Sequence, residues 1–535
     1  MTIEAWLPAL MAYLMPVGVF LMAWGGMRPE RAHRAASVGV LALSLSIVGY
    51  FAVGFAFHLG GAAVVSNAPG LQGLTALWAR QGMEEWGLIG LQGFFLTQGA
   101  ATPEAMGLFV TYVPLVATAV LLVILSISDR ARGWQMTALG VLVGALAFPV
   151  VACWAWGGGW LANLGSTLDL GHGFVDLAGA GVVYLLGGTV ALGALVGLGA
   201  RLPVGSQDEP ETMPPTHFPL LASLGAWLLL LGWLGWILSL PFHVGDALLN
   251  RSLIAVNGLL AAAGAAIASQ FYCWVTVGRA DPLMAARGVV AGIVVLSAGA
   301  PFVRPWTALV AGLFAGALLP IGVYTVERLL RLPDDTSTVA LGVAGGSVGL
   351  VLVAVLADGR WGQGWNGVGV EEYLTVAGQG VTGFAVASGF HPGGQGQMLA
   401  QLLGLGAIAV PGFLLGWLSL LLFTLPYRIR QARLDRLEQE SLSVELGTSD
   451  ISVRPSMLQR MLQRVRRRGE VETTEEAPDA EAEALGVSEV APDVDPDVTL
   501  LEMPAPVELD DSPIGDLPQP VDTPDVVEAE EVLDD

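Results

Sequence analysis

Apolar stretches of about 20 residues, separated by short polar connections, recur through the first four fifths of the chain. Each stretch is long enough to cross a hydrocarbon core of about 30 Å as an α-helix. The pattern therefore predicts an all-α, polytopic membrane protein with about eleven transmembrane helices. The expected spans cover residues 7–26, 36–58, 105–127, 134–154, 174–199, 218–240, 252–276, 284–302, 306–326, 337–357 and 397–425.

The connections between these spans alternate in arginine content. One set holds clusters such as Arg28, Arg31 and Arg34, whereas the opposite set holds isolated arginines such as Arg80. Arginine-rich connections stay in the cytoplasm, so we expect the N-terminus outside, the C-terminus in the cytoplasm and an odd number of spans in the cell membrane. No basic residue precedes the first apolar run, and residues 7–26 are therefore expected to be a retained helix rather than a secretory signal.

Composition agrees with a membrane protein and locates the charge. Only 13% of the residues are charged, whereas a soluble domain has about 25%. The net charge is −23, but residues 470–535 hold 23 of the 47 acidic residues and no basic residue, so the remainder is neutral. We expect a transmembrane domain in residues 1–430, a basic helical juxtamembrane segment in 431–469 and a disordered acidic tail in 470–535.

Two interpretations of the tail remain open. Either its negative charge keeps the protein soluble and makes copies of the protein repel one another, or it docks a cytoplasmic regulatory protein. The arginine cluster at residues 464–468 would be attracted to anionic lipid head groups beside the membrane.

Enzyme signatures such as a P-loop, a dinucleotide-binding glycine pattern or a His-Glu-x-x-His motif are missing from the sequence. The six histidines are scattered at span ends and in loops, which argues against a metal cluster or a buried imidazole relay. Cys153 and Cys273 lie in apolar runs and are expected to be small core residues. We expect no enzymatic activity, no cofactor, no metal and no nucleic-acid partner.

Asp176 is the strongest candidate for a functional charge, because it falls near the outer end of the fifth predicted span, where a buried charge is costly. It would either cap a helix N-terminus or supply a negative charge near a cation site. Tyr184 follows eight residues later, on the same side of a helix. It would be a packed aromatic residue or a hydrogen-bonding group of a pore.

Trp156 precedes three glycines, residues 157–159, in a tryptophan-rich segment. Tryptophans at a membrane interface are usually anchors. The glycines would also let the ring stand exposed at the mouth of a vestibule. An exposed indole face attracts small cations by about 0.5–2 kcal/mol.

The segment Trp-Gly-Gly-Gly-Trp-Leu-Ala at residues 156–162, followed by Asp-Leu-Ala-Gly-Ala-Gly-Val-Val-Tyr at 176–184, resembles the signature of the ammonium transporter, methylammonium permease and Rhesus family. Gly-Trp-Leu-Gly-Trp at residues 232–236 resembles the glycine–aromatic motif of the family's sixth helix. The resemblance extends over residues 7–430. It implies an eleven-helix protomer with two inverted five-helix halves, assembled as a homotrimer in which each protomer has its own conduction path for ammonium or ammonia.

In that family an outer Trp, Ser and Phe gather ammonium, two stacked Phe rings gate the path, and two His residues line its middle. Most of these positions hold other residue types here. They fall on Trp156 for the outer Trp, Asp176 for the conserved Asp, Tyr184 for the first His, Leu341 or Val343 for the second, Leu115 and Trp236 for the gating Phe rings, and Leu240 for the Ser.

This departure changes the expected mechanism. Imidazole titrates near pH 6.5 and can pass a proton, whereas a phenol titrates near pH 10 and is a poor relay at neutral pH. The sequence therefore supports two hypotheses. One is an ammonium-transporter-like channel with an atypical apolar pore, and the alternative is a non-conducting ammonium or small-solute sensor that signals through its cytoplasmic tail.

Overall fold

The computed structural model describes residues 3–27, 29–64, 70–79, 86–199, 219–239, 249–332, 334 and 336–445. Leu240, residues 446–469 of the basic segment and the whole acidic tail lie outside these described residues. Residues 1–447 form one compact unit by their contacts.

The described residues are mostly helical. The helices are α1 Ile3–Met11, α2 Leu14–Gly26, α3 Pro29–Gly49, α4 Phe55–Leu59, α5 Pro103–Ser126, α6 Gly133–Leu142, α7 Phe148–Ala155, α8 Leu164–Leu168, α9 Leu186–Leu198, α10 Pro219–Leu238, α11 Arg251–Val277, α12 Pro282–Ser297, α13 Pro305–Tyr324, α14 Gly346–Leu356 and α15 Gly394–Glu445. Wider π-helical stretches occupy Tyr50–Gly54, Val143–Ala147, Ala180–Leu185, Thr325–Leu329 and Ala340–Gly345. Two short antiparallel hairpins pair β1 Leu77–Trp78 with β2 Ile89–Gly90 and β3 Glu372–Tyr373 with β4 Val376–Ala377.

The prediction of a polytopic all-α membrane protein is confirmed. Nine helical segments of the described residues are long and apolar enough to cross a membrane. The two remaining predicted spans correspond to the shorter apolar helices Pro282–Ser297 and Ala340–Leu356. The observed segments follow the predicted ones closely, as Pro103–Ser126 does for the span expected at 105–127.

Three boundaries differ from the prediction. The second spanning segment continues to Val64, beyond its expected end at residue 58. The fifth begins at Ala180 rather than at 174, because the preceding residues form a loop. Helix α15 continues without a break past residue 430 to Glu445.

Small residues let the glycine-rich helices approach closely. A Cβ atom built on Gly188 would lie 2.7 Å from the backbone nitrogen of Val343, and one built on Gly346 would lie 2.7 Å from the backbone oxygen of Ala180. The two segments that carry Tyr184 and Gly342 therefore cross in direct backbone contact at the centre of the bundle.

Candidate functional site

The glycines after Trp156 have two separate structural roles. Gly158 adopts a φ of +84°, a left-handed conformation that side chains disfavour. Gly157 lies against the backbone oxygen of His58, where a Cβ atom would collide. The turn therefore fixes Trp156 at the C-terminal end of α7 and joins it closely to α4.

The sequence predicted that Trp156 would be exposed at the mouth of a vestibule, but the structure shows it buried. Its side chain is only 2% exposed, and its Nε1 donates a hydrogen bond of 2.7 Å to the backbone oxygen of Asp176. The indole is held between the loop that ends α7 and the loop that starts the Tyr184 segment, so its orientation is fixed.

A cluster of rings surrounds Trp156, which we call the ring cluster: His58, Tyr112, Phe148, Trp156 and Trp236. The Trp156 centroid lies 5.9 Å from that of Tyr112 and 6.3 Å from that of Trp236. Tyr112 and Trp236 are also in contact, with centroids 5.3 Å apart. Trp236 therefore lies beside Trp156 in the ring cluster.

The aromatic partner of Trp236 is Tyr112, which the sequence analysis did not single out. Leu115, expected as the gating position, lies three residues later in α5 and is fully buried in the hydrophobic core. In the ring cluster Trp236 therefore contacts a tyrosine of α5, whereas Leu115 has no ring to offer.

The expectation that no histidine is buried in a span is wrong. His58 is fully buried, with its ring centroid 4.6 Å from Tyr112 and 6.3 Å from Trp156. Its Nδ1 is 2.9 Å from the hydroxyl of Tyr50. The error arose because the second span was expected to end at residue 58, whereas the helical segment that contains His58 continues to Val64.

Asp176 lies in the loop before the fifth spanning segment and caps the N-terminus of that segment. Its Oδ1 accepts hydrogen bonds from the backbone N–H groups of Gly179 (2.9 Å) and Ala180 (2.8 Å). Its Oδ2 accepts from those of Gly181 (2.8 Å) and Val182 (3.0 Å). The capping interpretation of Asp176 is supported, since the described geometry commits both oxygens to the helix start.

Two buried glutamines of α15 hold the loop that presents Asp176. Gln401 accepts from the backbone N–H of Val175 (2.9 Å) and donates to the backbone oxygens of Val175 (2.8 Å) and Leu350 (3.1 Å). Gln397 accepts from the N–H of His172 (3.0 Å). Burial in this loop lowers the pKa of His172 to about 3, so its imidazole is neutral.

The second half of the chain repeats the Asp176 arrangement at Asp334, which sequence reasoning missed. Asp334 is 1% exposed, and its Oδ2 accepts from the N–H groups of Val339 (2.9 Å) and Ala340 (3.2 Å). Ser337, three residues after Asp334, has a positive φ of 54°. Gly179, three residues after Asp176, also has a positive φ, of 84°. The signal in the sequence that could have revealed Asp334 was an aspartate shortly before a glycine-rich span.

Counting from the two aspartates gives the position in the second half that corresponds to Tyr184. Tyr184 lies eight residues after Asp176, and the residue eight after Asp334 is Gly342, rather than Leu341 or Val343. A Cβ atom on Gly342 would collide with the backbone oxygen of Tyr184. A side chain is thus excluded at Gly342 in this packing.

A cavity of about 10 Å³ lies below Tyr184 and is lined by Leu341, Gly342, Thr336 and Thr338 among others. This volume is near the smallest that holds one water molecule. Tyr184 is 1% exposed, and its hydroxyl is buried without a hydrogen-bond partner among the described residues. Val343 packs against the core and does not belong to the lining.

The rest of the cavity wall is apolar. It is formed by Val19, Met22, Ala23, Leu122, Leu125, Leu229 and Val290. The hydroxyls of Thr336 and Thr338 bond to each other at 2.8 Å. The cavity therefore combines a mostly aliphatic wall with a small number of hydroxyl groups.

Comparisons with known proteins agree with this architecture. The family model described as Ammonium Transporter Family matches residues 5–440. The ammonium transporter Amt2 of Archaeoglobus fulgidus is 30% identical over 354 residues, which are 65% of this chain and 69% of that protein. A solved structure described as Sensor Amt Protein is 25% identical, with a TM-score of 0.62 over 79% of this chain and 92% of its own.

A further solved structure, Mep2 of Candida albicans, is 21% identical and has a TM-score of 0.62, over 79% of this chain and 83% of its own. At this identity the likeness concerns the fold alone. The chain is similar to these three proteins in sequence or in backbone fold.

Proposed function

Since the chain belongs to the ammonium transporter family, we propose that it passes ammonia through an apolar pore in which a single tyrosine stands where the family has paired histidines. The proposed path leads from the ring cluster, past Tyr184, to the cavity beside Leu341. It is a transporter-like channel and not an enzyme.

The ring cluster supports recruitment of a small cation. The ring centroids of Trp156, Trp236 and Tyr112 lie about 5–6 Å from one another, and aromatic faces attract ammonium-type cations through their quadrupoles. Desolvation strengthens this attraction to about 2 kcal/mol or more. Because Trp156 is 2% exposed, an incoming ammonium ion is held away from bulk water.

The cavity supports passage of the neutral molecule. Its wall is mostly aliphatic, and moving an unpaired ion into such surroundings costs many kcal/mol, whereas a neutral polar molecule with a hydrogen-bond partner costs far less. Ammonia has a lone pair and three N–H groups, so it can accept from or donate to a hydroxyl. An ion that entered would lose its hydration without compensation.

The observation that carries the proposal is the hydroxyl of Tyr184, which is buried at the cavity and has no hydrogen-bond partner among the described residues. Leaving such a group unpaired costs about 1–3 kcal/mol. A passing solute that bonds to it recovers part of this cost.

The test is ammonia entry into proteoliposomes, measured as alkalinisation of an enclosed pH dye and compared with empty liposomes. Wild-type protein should accelerate entry, and Trp156→Leu should lower the rate because it removes the cation-attracting face. Trp134→Leu is a matched control, since Trp134 is 53% exposed on α6 and outside the ring cluster. Tyr184→Phe should slow entry without preventing folding. A wild-type rate equal to that of empty liposomes would refute conduction.

A second candidate function is a non-conducting ammonium or small-solute sensor. It is favoured by the dense packing of the ring cluster, by the likeness to a structure described as Sensor Amt Protein, and by the long segment after residue 430. In this function ammonium binding raises the melting temperature without any flux. Tyr184→His, which restores an imidazole, would then still fail to conduct.

The assembly and orientation are part of the same proposal. We expect a homotrimer in the cell membrane, with the N-terminus outside and residues 431–469 and 470–535 in the cytoplasm, where a regulatory protein could dock on the tail. Large apolar side chains cover the outer face of α11, such as Ile267, Phe271 and Trp274, which suits contact with lipid or a second copy. Labelling of cysteines introduced at the two ends in intact cells tests the orientation, and mass measurement in detergent tests the trimer.

A further inference from the structure

His172 is a buried histidine whose ring has no role in the site described above. Its side chain is 0% exposed, and neither ring nitrogen has a hydrogen-bond partner among the described residues. A neutral imidazole carries one N–H donor and one lone pair, so one donor and one acceptor remain unsatisfied here, which is costly in a buried place. His172 lies in residues 169–176, which we call the His172 loop and which end at Asp176.

Hydrogen bonds from two other segments hold the backbone of the His172 loop closed. Nδ2 of Asn366 donates to the backbone oxygens of His172 (2.9 Å) and Phe174 (3.1 Å). Gln397 of α15 accepts from the backbone N–H of His172 (3.0 Å) and donates through Nε2 to the backbone oxygen of Gly173 (2.9 Å). These four bonds fix the loop backbone and leave the imidazole itself without a polar partner among the described residues.

The ring of His172 is enclosed by groups that offer no negative charge. The ring of Tyr373 in β3 lies with its centroid 4.4 Å away, and a Cβ atom built on Gly369 would lie 3.5 Å from Nε2 of His172. Burial lowers the pKa of His172 to about 3. Burial and then the carboxylate of Asp169 raise the pKa of Tyr373, which places Asp169, an exposed residue of the loop, on the side of Tyr373.

The other elements around the loop add no buried charge. Glu371 and Glu372 beside β3 are exposed, and so is His391, whose Nδ1 lies 3.0 Å from the backbone oxygen of Leu374. Helix α8 and the first two turns of α15 contain no acidic or basic residue. A protonated His172 would thus be a buried charge without a carboxylate partner in the described part of the chain, and such a charge is far more stable in water.

We propose that the His172 loop is an acid-sensitive switch, which stays closed while the imidazole is neutral and opens locally when the imidazole takes up a proton. In an open loop the imidazole is hydrated and has a pKa near 6.5, whereas in the closed loop its pKa is about 3. The closed form is therefore fully favoured above pH 6.5, and acid shifts the balance towards the open form as the pH falls from there towards 3. The switch concerns the loop itself and does not rest on the passage of ammonia.

The size of the shift follows from these two pKa values. Between pH 7 and pH 5 the ratio of open to closed loops should rise by about 25-fold. The face of the Tyr373 ring attracts an imidazolium and so favours the closed form of protonated His172, which reduces the rise to no less than about fivefold. The opening would reach the ring cluster, because Nε1 of Trp156 donates to the backbone oxygen of Asp176 at the end of the loop.

The test is hydrogen exchange of the full-length protein in detergent at pH 7 and pH 5, measured by mass spectrometry on peptides from the His172 loop and from α5. His172→Phe keeps a ring that takes up no proton, and His172→Leu is used instead if the phenylalanine variant does not fold. His391→Phe is the matched control, since His391 is an exposed histidine of the neighbouring loop. Comparing the proteins at the same pH cancels the intrinsic pH dependence of amide exchange.

Between pH 7 and pH 5 the protection of the loop should fall about 5- to 25-fold more in the wild type and in His391→Phe than in His172→Phe. The amides of α5 should stay protected in all three proteins over the same exchange time, because the opening is local. The same acid response in the wild type and in His172→Phe would overturn the inference, and so would a loss of protection in α5 together with the loop.

A second variant tests the bonds that close the loop. Asn366→Gly keeps the left-handed backbone, whose φ is +53° at Asn366, but removes the two bonds to the backbone oxygens of His172 and Phe174. The loop should then exchange several-fold faster than in the wild type already at pH 7. An unchanged exchange rate would contradict the switch.

Discussion

Replacing Asp176 by asparagine tests whether this carboxylate holds the start of the Tyr184 segment. The side chain keeps its size, but one of the two oxygens becomes an NH2 group. Each oxygen of Asp176 accepts two backbone N–H bonds of 2.8–3.0 Å. The amide nitrogen of asparagine would thus face two N–H donors in a fully enclosed site.

The expected cost follows from those four bonds. Two backbone donors lose their acceptor, at about 1–3 kcal/mol each, and the negative charge at the helix start is lost, at about 0.3–2 kcal/mol. Relief of the desolvation of a buried carboxylate offsets part of this. We therefore expect Asp176→Asn to lower the free energy of unfolding by about 2–4 kcal/mol.

The two buried free cysteines, Cys153 and Cys273, provide the assay. A thiol-reactive fluorophore reacts with them as the protein unfolds on heating in detergent. Because one kcal/mol shifts the melting temperature by about 2–4 °C in a domain of 150–250 residues and by less in a larger protein, a fall of about 3–6 °C is expected. Asp281→Asn is the matched control, since Asp281 caps α12 through one bond of 2.9 Å to Leu283 N and asparagine caps equally well.

Equal melting temperatures for Asp176→Asn and Asp281→Asn would refute this reasoning. The carboxylate would then contribute little to the helix start. If Asp176→Asn instead kept its stability but lost ammonia entry, the alternative role of Asp176 as a charge near a cation site would be favoured.

Three further predictions use the same melting assay. Gly342→Ala should destabilise by about 1–3 kcal/mol through overpacking against the crossing helix, whereas Gly406→Ala, with open space around it, should be neutral or stabilising. Gln401→Leu should cost about 2–4 kcal/mol because it removes three hydrogen bonds to buried backbone groups. Burial keeps His172 neutral in the folded protein, with a pKa of about 3, so stability should be full above pH 6.5 and fall below it as the unfolded chain takes up a proton. The loss at pH 5 should be about 2 kcal/mol, and it should be absent in His172→Phe.

The membrane spans could be predicted from the sequence because their signal is the length of apolar runs, which the bilayer fixes. The boundaries were less predictable, since π-helical stretches and loops change where a segment starts or ends without changing its composition. Asp176 illustrates this, because its neighbours are apolar enough to suggest helix. The structure shows a loop in which the carboxylate turns back to cap the segment that follows.

The residues of the candidate site that belong to sequence motifs could be predicted, and those brought there by tertiary packing could not. Trp156 and Trp236 were found through their glycine-containing motifs. Tyr112 was not, because its ring contact with Trp236 arises from the tertiary fold and not from a motif. His58 was missed because burial depends on a segment end that the hydrophobic pattern does not define. Asp334 was missed because two aspartates between a proline and a threonine are typical of an ordinary turn.

The repeated capping arrangement at Asp176 and Asp334 explains how the two crossing segments are held without a side chain on both of them. Each half uses a buried carboxylate, a left-handed residue three positions later and a π-helical stretch to bring one residue to the crossing point. In one half that residue is Tyr184, and in the other it is Gly342, whose missing side chain is required by the backbone contact. The scaffold therefore needs no imidazole at the crossing for its stability.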